Sequence, residues 1–220
     1  MTPARANGQR RRWVVKVGGA LAKAGALDWA LAMISGLCAE GYKIVVSPGG
    51  GAYADFIRRH GEDNMIPDPV THQQAILSAQ QFGHELAWRL AGGEPVNSTH
   101  GAMRALADGL VPVFLPGQWL PPQAPQGWMS TSDTLAAATC HRLGFGGLAL
   151  LKCVDGVLEN GRLLSQATAG QAAQAGVVDP VLGKMIGQRW DVFVLNGMRP
   201  ERLAALLQDG QAEGTRIIAD

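Results

Sequence analysis

The sequence predicts an α/β protein: a three-layer αβα sandwich with a mostly parallel central sheet, its two lobes joined in one domain. Three observations predict it. Two apolar runs, Trp13–Val17 and Lys43–Ser47, are rich in β-branched residues, and each ends in glycines followed by a helical pattern. A repeated strand–turn–helix order implies parallel strands whose turns lie at the same sheet edge. Further apolar runs, Leu110–Leu115, Gly147–Cys153 and Asp191–Leu195, alternate with helical segments down the rest of the chain.

The elements can be justified in order. Residues 1–12 are basic, with Arg10, Arg11 and Arg12 in succession but no apolar segment after them; they read as a disordered, solvated tail rather than a secretory signal. Asp28 is suited to cap a helix reaching Ala39, with Leu31, Ile34, Leu37 and Cys38 on one stripe and Gly41 as its stop. Pro48 stops the second strand, and Gly49, Gly50 and Gly51 follow. Tyr53–His60 reads as a helix, and Gly61–Val70, with Pro67 and Pro69, as a loop. Thr71 caps a long helix to Leu90 with an apolar stripe of Ile76, Ala79, Phe82, Leu86 and Leu90; such a face suits either the core or a dimer contact.

Thr99–Ala107 is a short helix, and the proline-rich Pro116–Gln126 is the hinge between lobes spanning 13–125 and 126–220. Thr131 or Ser132 caps a helix from about Asp133 to Leu143. After the strand at Gly147–Cys153 come a turn at Asp155-Gly156-Val157, a second turn at Glu159–Gly161 and a short strand at Arg162–Leu164. Short helices at Thr168–Gln174 and Pro180–Gln188 precede the Asp191–Leu195 strand, which ends in Asn196-Gly197. Pro200 opens a helix to Leu207, and Thr215–Ile218 is the last strand.

Composition narrows the function classes. The chain has 220 residues, 47% hydrophobic and 17% charged, enough for a substantial core. A net charge of +1 gives no broad basic surface for nucleic acid. No apolar run approaches the ~18 residues of a membrane span. Cys38, Cys140 and Cys153 are widely spaced, as buried free thiols in a reducing compartment would be, and the expected location is the cytoplasm.

The chemistry sits at strand ends. There is no GxxxxGK[ST] and no GxGxxG, so ordinary P-loop and dinucleotide readings fail. Instead Lys16 precedes Gly18 and Gly19, and Gly49–Gly51 follow the second strand. A cation beside a glycine turn either faces water or holds an anion; three glycines after a strand favour an anion-cradling loop. Asp133 either complements a helix dipole or presents a carboxylate to the cleft. Asp155-Gly156 and Asn196-Gly197 complete the polar strand ends. Phosphoryl transfer needs this kind of equipment: donors and cations around the equatorial oxygens, with two reactants held in line. His72, in the first turn of the long helix, either faces a ligand or is a solvated histidine.

Five segments, VVKVGGAL, VVSPGGGAYAD, TSDTLAA, VDGV and VLNGMRPERL, occur in the order found in the amino acid kinase superfamily, which the chain resembles from Trp13 to its C-terminus. Within it, Trp128–Leu135 and Asn196–Leu203 look most like the kinase family of methanofuran biosynthesis. The resemblance implies an amino acid kinase-like fold, ATP and Mg²⁺ as cofactors, no dedicated protein metal site, and a homodimer or higher homo-oligomer. It implies transfer of a phosphoryl group to [5-(aminomethyl)furan-3-yl]methyl phosphate, in methanofuran or the related methylofuran synthesis of one-carbon metabolism.

It also implies roles. Lys16 would bridge the transferring phosphoryl group and Asp133 would organise that lysine. Gly18 and Gly19 would cover the ATP phosphates, with Asp155, Gly156, Val157 and Asn196 lining the nucleotide pocket. Gly49, Gly50 and Gly51 would hold the acceptor phosphate, joined by Arg58, His72 and Thr131. Either Lys184 or Lys152 would be a second catalytic lysine. The chain departs from the pattern at Ala20, where a serine is usual, at Gln126, where a histidine is expected, and in its short VDGVLENG turn. A uridylate- or isopentenyl-phosphate-type kinase, or a non-catalytic nucleotide or oxoanion binder on the same fold, are the alternatives.

Overall fold

A computed structural model describes residues 12–117 and 130–220. Of the expected tail at 1–12, residues 1–11 lie outside the described residues, while Arg12 opens the first strand and so is not tail; of the expected hinge at 116–126, residues 118–126 lie outside, as do Trp128 and the expected lobe boundary at 125/126. In chain order the elements are β1 (Arg12–Val17), α1 (Gly19–Lys23), α2 (Leu27–Ala39), β2 (Lys43–Pro48), α3 (Gly51–Asp63), α4 (Asp68–Arg89), β3 (Gly93–Val96), α5 (Thr99–Ala107) and β4 (Val111–Phe114). Beyond residue 129 follow α6 (Ser132–Leu143), β5 (Gly147–Lys152), β6 (Leu158–Glu159), β7 (Arg162–Leu163), β8 (Gln166–Thr168), α7 (Ala169–Gln174), α8 (Leu182–Met185), β9 (Asp191–Asn196), α9 (Glu201–Asp209) and β10 (Thr215–Ile218).

The central sheet has eight strands in the order β3-β4-β2-β1-β5-β9-β10-β8. Pairing is parallel from β3 through β9 and antiparallel between β9 and β10. Side chains alternate across it. Val14, Val45, Leu148, Leu150, Val192 and Val194 join the core under α5, α6, α7 and α8. Val15, Val17, Ile44, Val46, Ala149 and Leu151 join the opposite core, with Leu27, Leu31 and Ile34 of α2, Phe82 and Leu86 of α4, and Leu203 and Leu206 of α9. Both faces are covered, which is why these strands read as continuous apolar runs. The expected three-layer sandwich is the one observed.

Several local expectations are corrected. The Gly18–Gly19 turn runs directly into the one-turn helix α1, and α2 starts from Ala26; Asp28 is not its cap but pairs with Arg89 of α4 at 3.1 Å. Pro48 is the last residue of β2 rather than its stop, a position where the missing N–H costs nothing in the ladder. Helix α3 is longer at both ends than Tyr53–His60, and Gly61 is the point where it packs on α4, since a Cβ there would come 2.4 Å from Thr71 Cγ2. Helix α4 starts at Asp68, because Pro69 fits a first helical turn; Thr71 lies inside it and its hydroxyl donates to the Asp68 carbonyl at 3.1 Å. Pro200 occupies the N-cap position of α9, and α8 is shorter at both ends than the expected helix.

Candidate active site

The parity of β1 decides where Lys16 goes. Val15 and Val17 face α2 and α4, so Lys16 faces α6 with Val14. In the neighbouring strand, Lys152 shares the parity of Leu148 and Leu150 and so also projects toward α6. The first turn of α6 presents Asp133 between them. Lys152 Nζ donates to Asp133 Oδ2 at 2.6 Å, and Lys16 Nζ lies 3.3 Å from Oδ1. Asp133 is 1% exposed and Lys16 6%. Oδ1 has no hydrogen-bond partner, so the Lys16 contact is an ion pair that leaves a lone pair over.

Burial pushes the Lys16 ammonium below the ordinary lysine range, and the nearby Lys152 charge pushes the same way; Asp133 opposes both. Burial alone would raise the Asp133 carboxyl, but the two lysine charges outweigh it and hold it below the usual carboxylate range. Asp133 is thus an ionised carboxylate under two cations, suited to orient them and not to take up a proton.

Asp133 is itself held from a distance. The expected cap, Thr131, stands at the N-cap of α6, yet its side chain accepts no hydrogen bond there. Asp179, 7% exposed, does the capping. Its carboxylate accepts from the N–H and hydroxyl of Thr131 at 2.7 and 2.6 Å and from those of Thr134 at 3.0 and 2.8 Å. Sequence reading missed Asp179. Its only signal was an aspartate inside the apolar VVDPV, which a buried carboxylate must justify by finding partners.

Above Lys16 the two glycine loops touch. A Cβ on Gly19 would lie 2.4 Å from Gly51 Cα, and one on Gly49 would lie 3.1 Å from Gly18 Cα. Gly51 has φ +59° and sits against the Phe82 ring, so it meets both requirements that only glycine satisfies. The Gly49 N–H is taken by the Val17 carbonyl at 2.8 Å. The α3 ladder starts with Ala54 N–H on the Gly50 carbonyl, so the N–H groups of Gly51, Ala52 and Tyr53 are not used by the helix.

These loops wall a cavity of about 250 Å³. Lys16, Gly18, Gly19, Gly49, Gly50, Gly51, Arg58, His72 and Thr131 all line it, as do Lys23, Asp55, Ser130 and Ser132. Ala54, Ala75, Ile76, Ala79 and Leu135 supply its apolar part. His72 is buried, not solvated, and its Nε2 meets the Ser130 carbonyl at 2.7 Å.

The remaining expected residues form a different group at the same sheet edge. Asn196 pairs with Lys152 across β5 and β9. Its Nδ2 donates to Asp155 at 3.0 Å, and its Oδ1 accepts from Met198 N–H. Hydrogen bonds from Asn196 and Arg202 hold the Asp155 carboxyl below its usual range. Gly156 is pressed on Thr215, where a Cβ would come 2.3 Å from the hydroxyl; Val157 is in the core and its N–H donates to that hydroxyl at 2.9 Å. None of these four lines the cavity. Lys184 is exposed on α8 and makes no contact with Asp133, the place Lys152 takes.

No helix among the described residues is long and apolar enough to cross a membrane. A model of the amino acid kinase family matches residues 11–207. The chain is 25% identical over 182 residues to the [5-(aminomethyl)furan-3-yl]methyl phosphate kinase of Methanocaldococcus jannaschii, covering 80% of this chain and 84% of that one. Its fold is similar to that of the UMP kinase of Bacillus anthracis, with a TM-score of 0.76, 17% identity and 96% of each chain covered. It is also similar to the uridylate kinase of Archaeoglobus fulgidus, with a TM-score of 0.73, 17% identity, and 94% of this chain and 99% of that one covered.

Proposed function

The chain belongs to the amino acid kinase family and is a small-molecule kinase, and from that premise we propose that it transfers the γ-phosphoryl group of ATP to a phosphomonoester. The acceptor we propose is [5-(aminomethyl)furan-3-yl]methyl phosphate, the compound named for the Methanocaldococcus jannaschii relative, and the pathway we propose is methanofuran or methylofuran synthesis. The observation that carries this reading is Asp133 held between Lys16 and Lys152 directly beneath two touching glycine loops.

The chain's residues divide the work. Lys16 lines the cavity beside Asp133, placed to neutralise the phosphoryl group in transfer. Lys152 is the second cation, and Asp133 fixes both. Gly18 and Gly19 leave room on the donor side. Arg58 and the unused N–H groups at the start of α3 face the acceptor phosphate. Asp155, Gly156, Val157 and Asn196, beside Lys152 on the sheet edge, border the nucleotide end. Mg²⁺ would arrive on the nucleotide phosphates, whose oxygens supply most of its ligands. Mg–ATP supplies the phosphoryl group when bound.

The cavity's size supports a small acceptor. About 250 Å³ is below the ~300–1,000 Å³ common for drug-sized ligands, and its apolar part is built largely of alanines. The test is ADP release with Mg–ATP and, in separate reactions, the aminomethylfuran phosphate, UMP, isopentenyl phosphate or no acceptor. Turnover on the furan ester alone is expected. Turnover on UMP or isopentenyl phosphate instead would replace the acceptor, and no turnover on any, with ATP still bound, would leave a non-catalytic binder.

A further inference from the structure

We propose that His72 and Ser130 form an accepting subsite that recognises the amine of a phosphomonoester substrate. The inference deepens the kinase reading and rests on it. Both residues line the cavity, and both are almost wholly buried, at 2% and 1% exposure. His72 Nε2 and the Ser130 carbonyl are 2.7 Å apart. A carbonyl only accepts, so Nε2 carries the hydrogen, and Nδ1 of the neutral ring presents a lone pair. Among the described residues Nδ1 of His72 has no hydrogen-bond partner, and neither does the Ser130 hydroxyl. Two orphaned polar atoms in adjoining residues of one cavity wall call for a ligand, since buried polar groups are ordinarily satisfied.

The unsatisfied imidazole atom is an acceptor, so what completes it is a donor. A phosphate oxygen would face a lone pair there; an ammonium group would not. The same cavity is also lined by Lys16, Arg58 and the start of α3, which suit a phosphate. Ala75, Ile76 and Ala79 of α4 offer an apolar surface for a flat ring. The cavity thus holds groups suited to both a phosphate and an amine on one small molecule. Asp55, the other candidate for a cationic amine, is at the rim and paired with Lys23 at 2.5 Å. The buried pair is the selective one, because desolvated donors and acceptors discriminate most strongly against a ligand that leaves them unpaired.

Calorimetry tests this without turnover. The probes are the aminomethylfuran phosphate and (5-ethylfuran-3-yl)methyl phosphate, in which a methyl group replaces the amine. Wild-type protein is expected to bind the amine at least about tenfold more tightly, as one charge-assisted hydrogen bond predicts. His72→Phe is expected to bring the two affinities together, and Ser130→Ala to narrow the gap. Equal affinities in the wild type would overturn the proposal with no variant needed. An amine preference that survives in both folded variants would overturn it too, assigning the amine to another group such as Asp55. ADP release on the same two esters separates the readings. Amine-selective binding without turnover would sink the kinase and keep the subsite, whereas turnover of both esters with equal affinity would keep the kinase and sink the subsite.

Discussion

Asp179 reaches 45 residues back along the chain to hold Thr134, accepting from its N–H at 3.0 Å and its hydroxyl at 2.8 Å. With the two matching bonds from Thr131, one carboxylate fixes the residues on either side of Asp133. A self-capped helix would fix only its own first turn. A cap from the segment before α8 instead ties the position of Asp133 to the packing of α8 on α6. Lys16, Lys152, Asp133 and Asp179 are therefore one polar unit, with Lys16 and both carboxylates buried and Lys152 partly exposed.

Asp179→Ala should destabilise the protein by about 2–4 kcal/mol, more than the usual ~1 kcal/mol for a lost cap, because buried hydroxyl and N–H groups lose a charged acceptor. Urea unfolding measures this. Asp179→Glu should recover part of the stability but not the turnover, since a longer side chain moves α6. Unchanged turnover in the glutamate variant would show that Asp133 needs no such positioning.

Lys16→Ala should lower kcat by roughly 10²–10³-fold, the range for losing one preorganised transition-state donor, with ATP affinity nearly intact. Lys152→Ala should lower kcat less, because Lys16 still neutralises Asp133. Pre-steady-state kinetics with fluorescent ATP displacement separate the two effects. A parallel loss of ATP affinity in Lys16→Ala would make it a ground-state anchor.

How much of this was legible follows from where each residue's partner lies. Lys16 was legible because a lysine closing a buried strand before two glycines has a local explanation to seek. Lys152 was visible as one of two cations, and strand parity could have chosen it, since it repeats the Leu148 and Leu150 spacing. Asp179 was not legible as a cap because its partners are 45 and 48 residues away. Strands β3 and β8 were missed for a related reason. GEPV and QAT carry little β-propensity, and pairing with β4 and β10 makes them strands. The helix α1 was hidden because glycines that admit a ligand look the same as glycines that only turn the chain.

The burial that depresses Lys16 has opposite consequences for activity and stability as pH rises. If the transferring phosphoryl group needs the ammonium form, kcat/KM, which reports the free enzyme, should fall on the alkaline side with a midpoint below the ordinary lysine value of 10.5. Over that same window the unfolded chain binds more protons at this group than the folded one, so its term in stability becomes more favourable with rising pH. Asp133 works at the acid end: its carboxyl is depressed in the fold, so its stabilisation is complete above the usual value of 3.8 and is lost as pH falls through the lower, folded value. A kcat/KM–pH profile of the wild type against Lys16→Arg tests the first point. The alkaline limb should move out of range in the arginine variant if any activity remains. An unmoved limb would assign it to another group.

The glycines give the cleanest contrast, because the same substitution should have opposite signs at two helical positions. At Gly19 a Cβ would come 2.4 Å from Gly51 Cα, a backbone atom that cannot swing aside, so alanine must push the two loops apart. Gly19→Ala should cost about 1–3 kcal/mol as an overpacked site and should abolish most turnover, since the separated loops no longer align two phosphates. Gly36 lies on the exposed face of α2, and a methyl added there would meet nothing within 4 Å. There alanine removes only the entropic penalty of a helical glycine, and Gly36→Ala should stabilise by about 0.5–1 kcal/mol with kcat unchanged. Thermal melts and ADP release on both variants decide it. A harmless Gly19→Ala would mean that the glycine loops do not touch in solution, and the shared wall of the cavity would have to be redrawn.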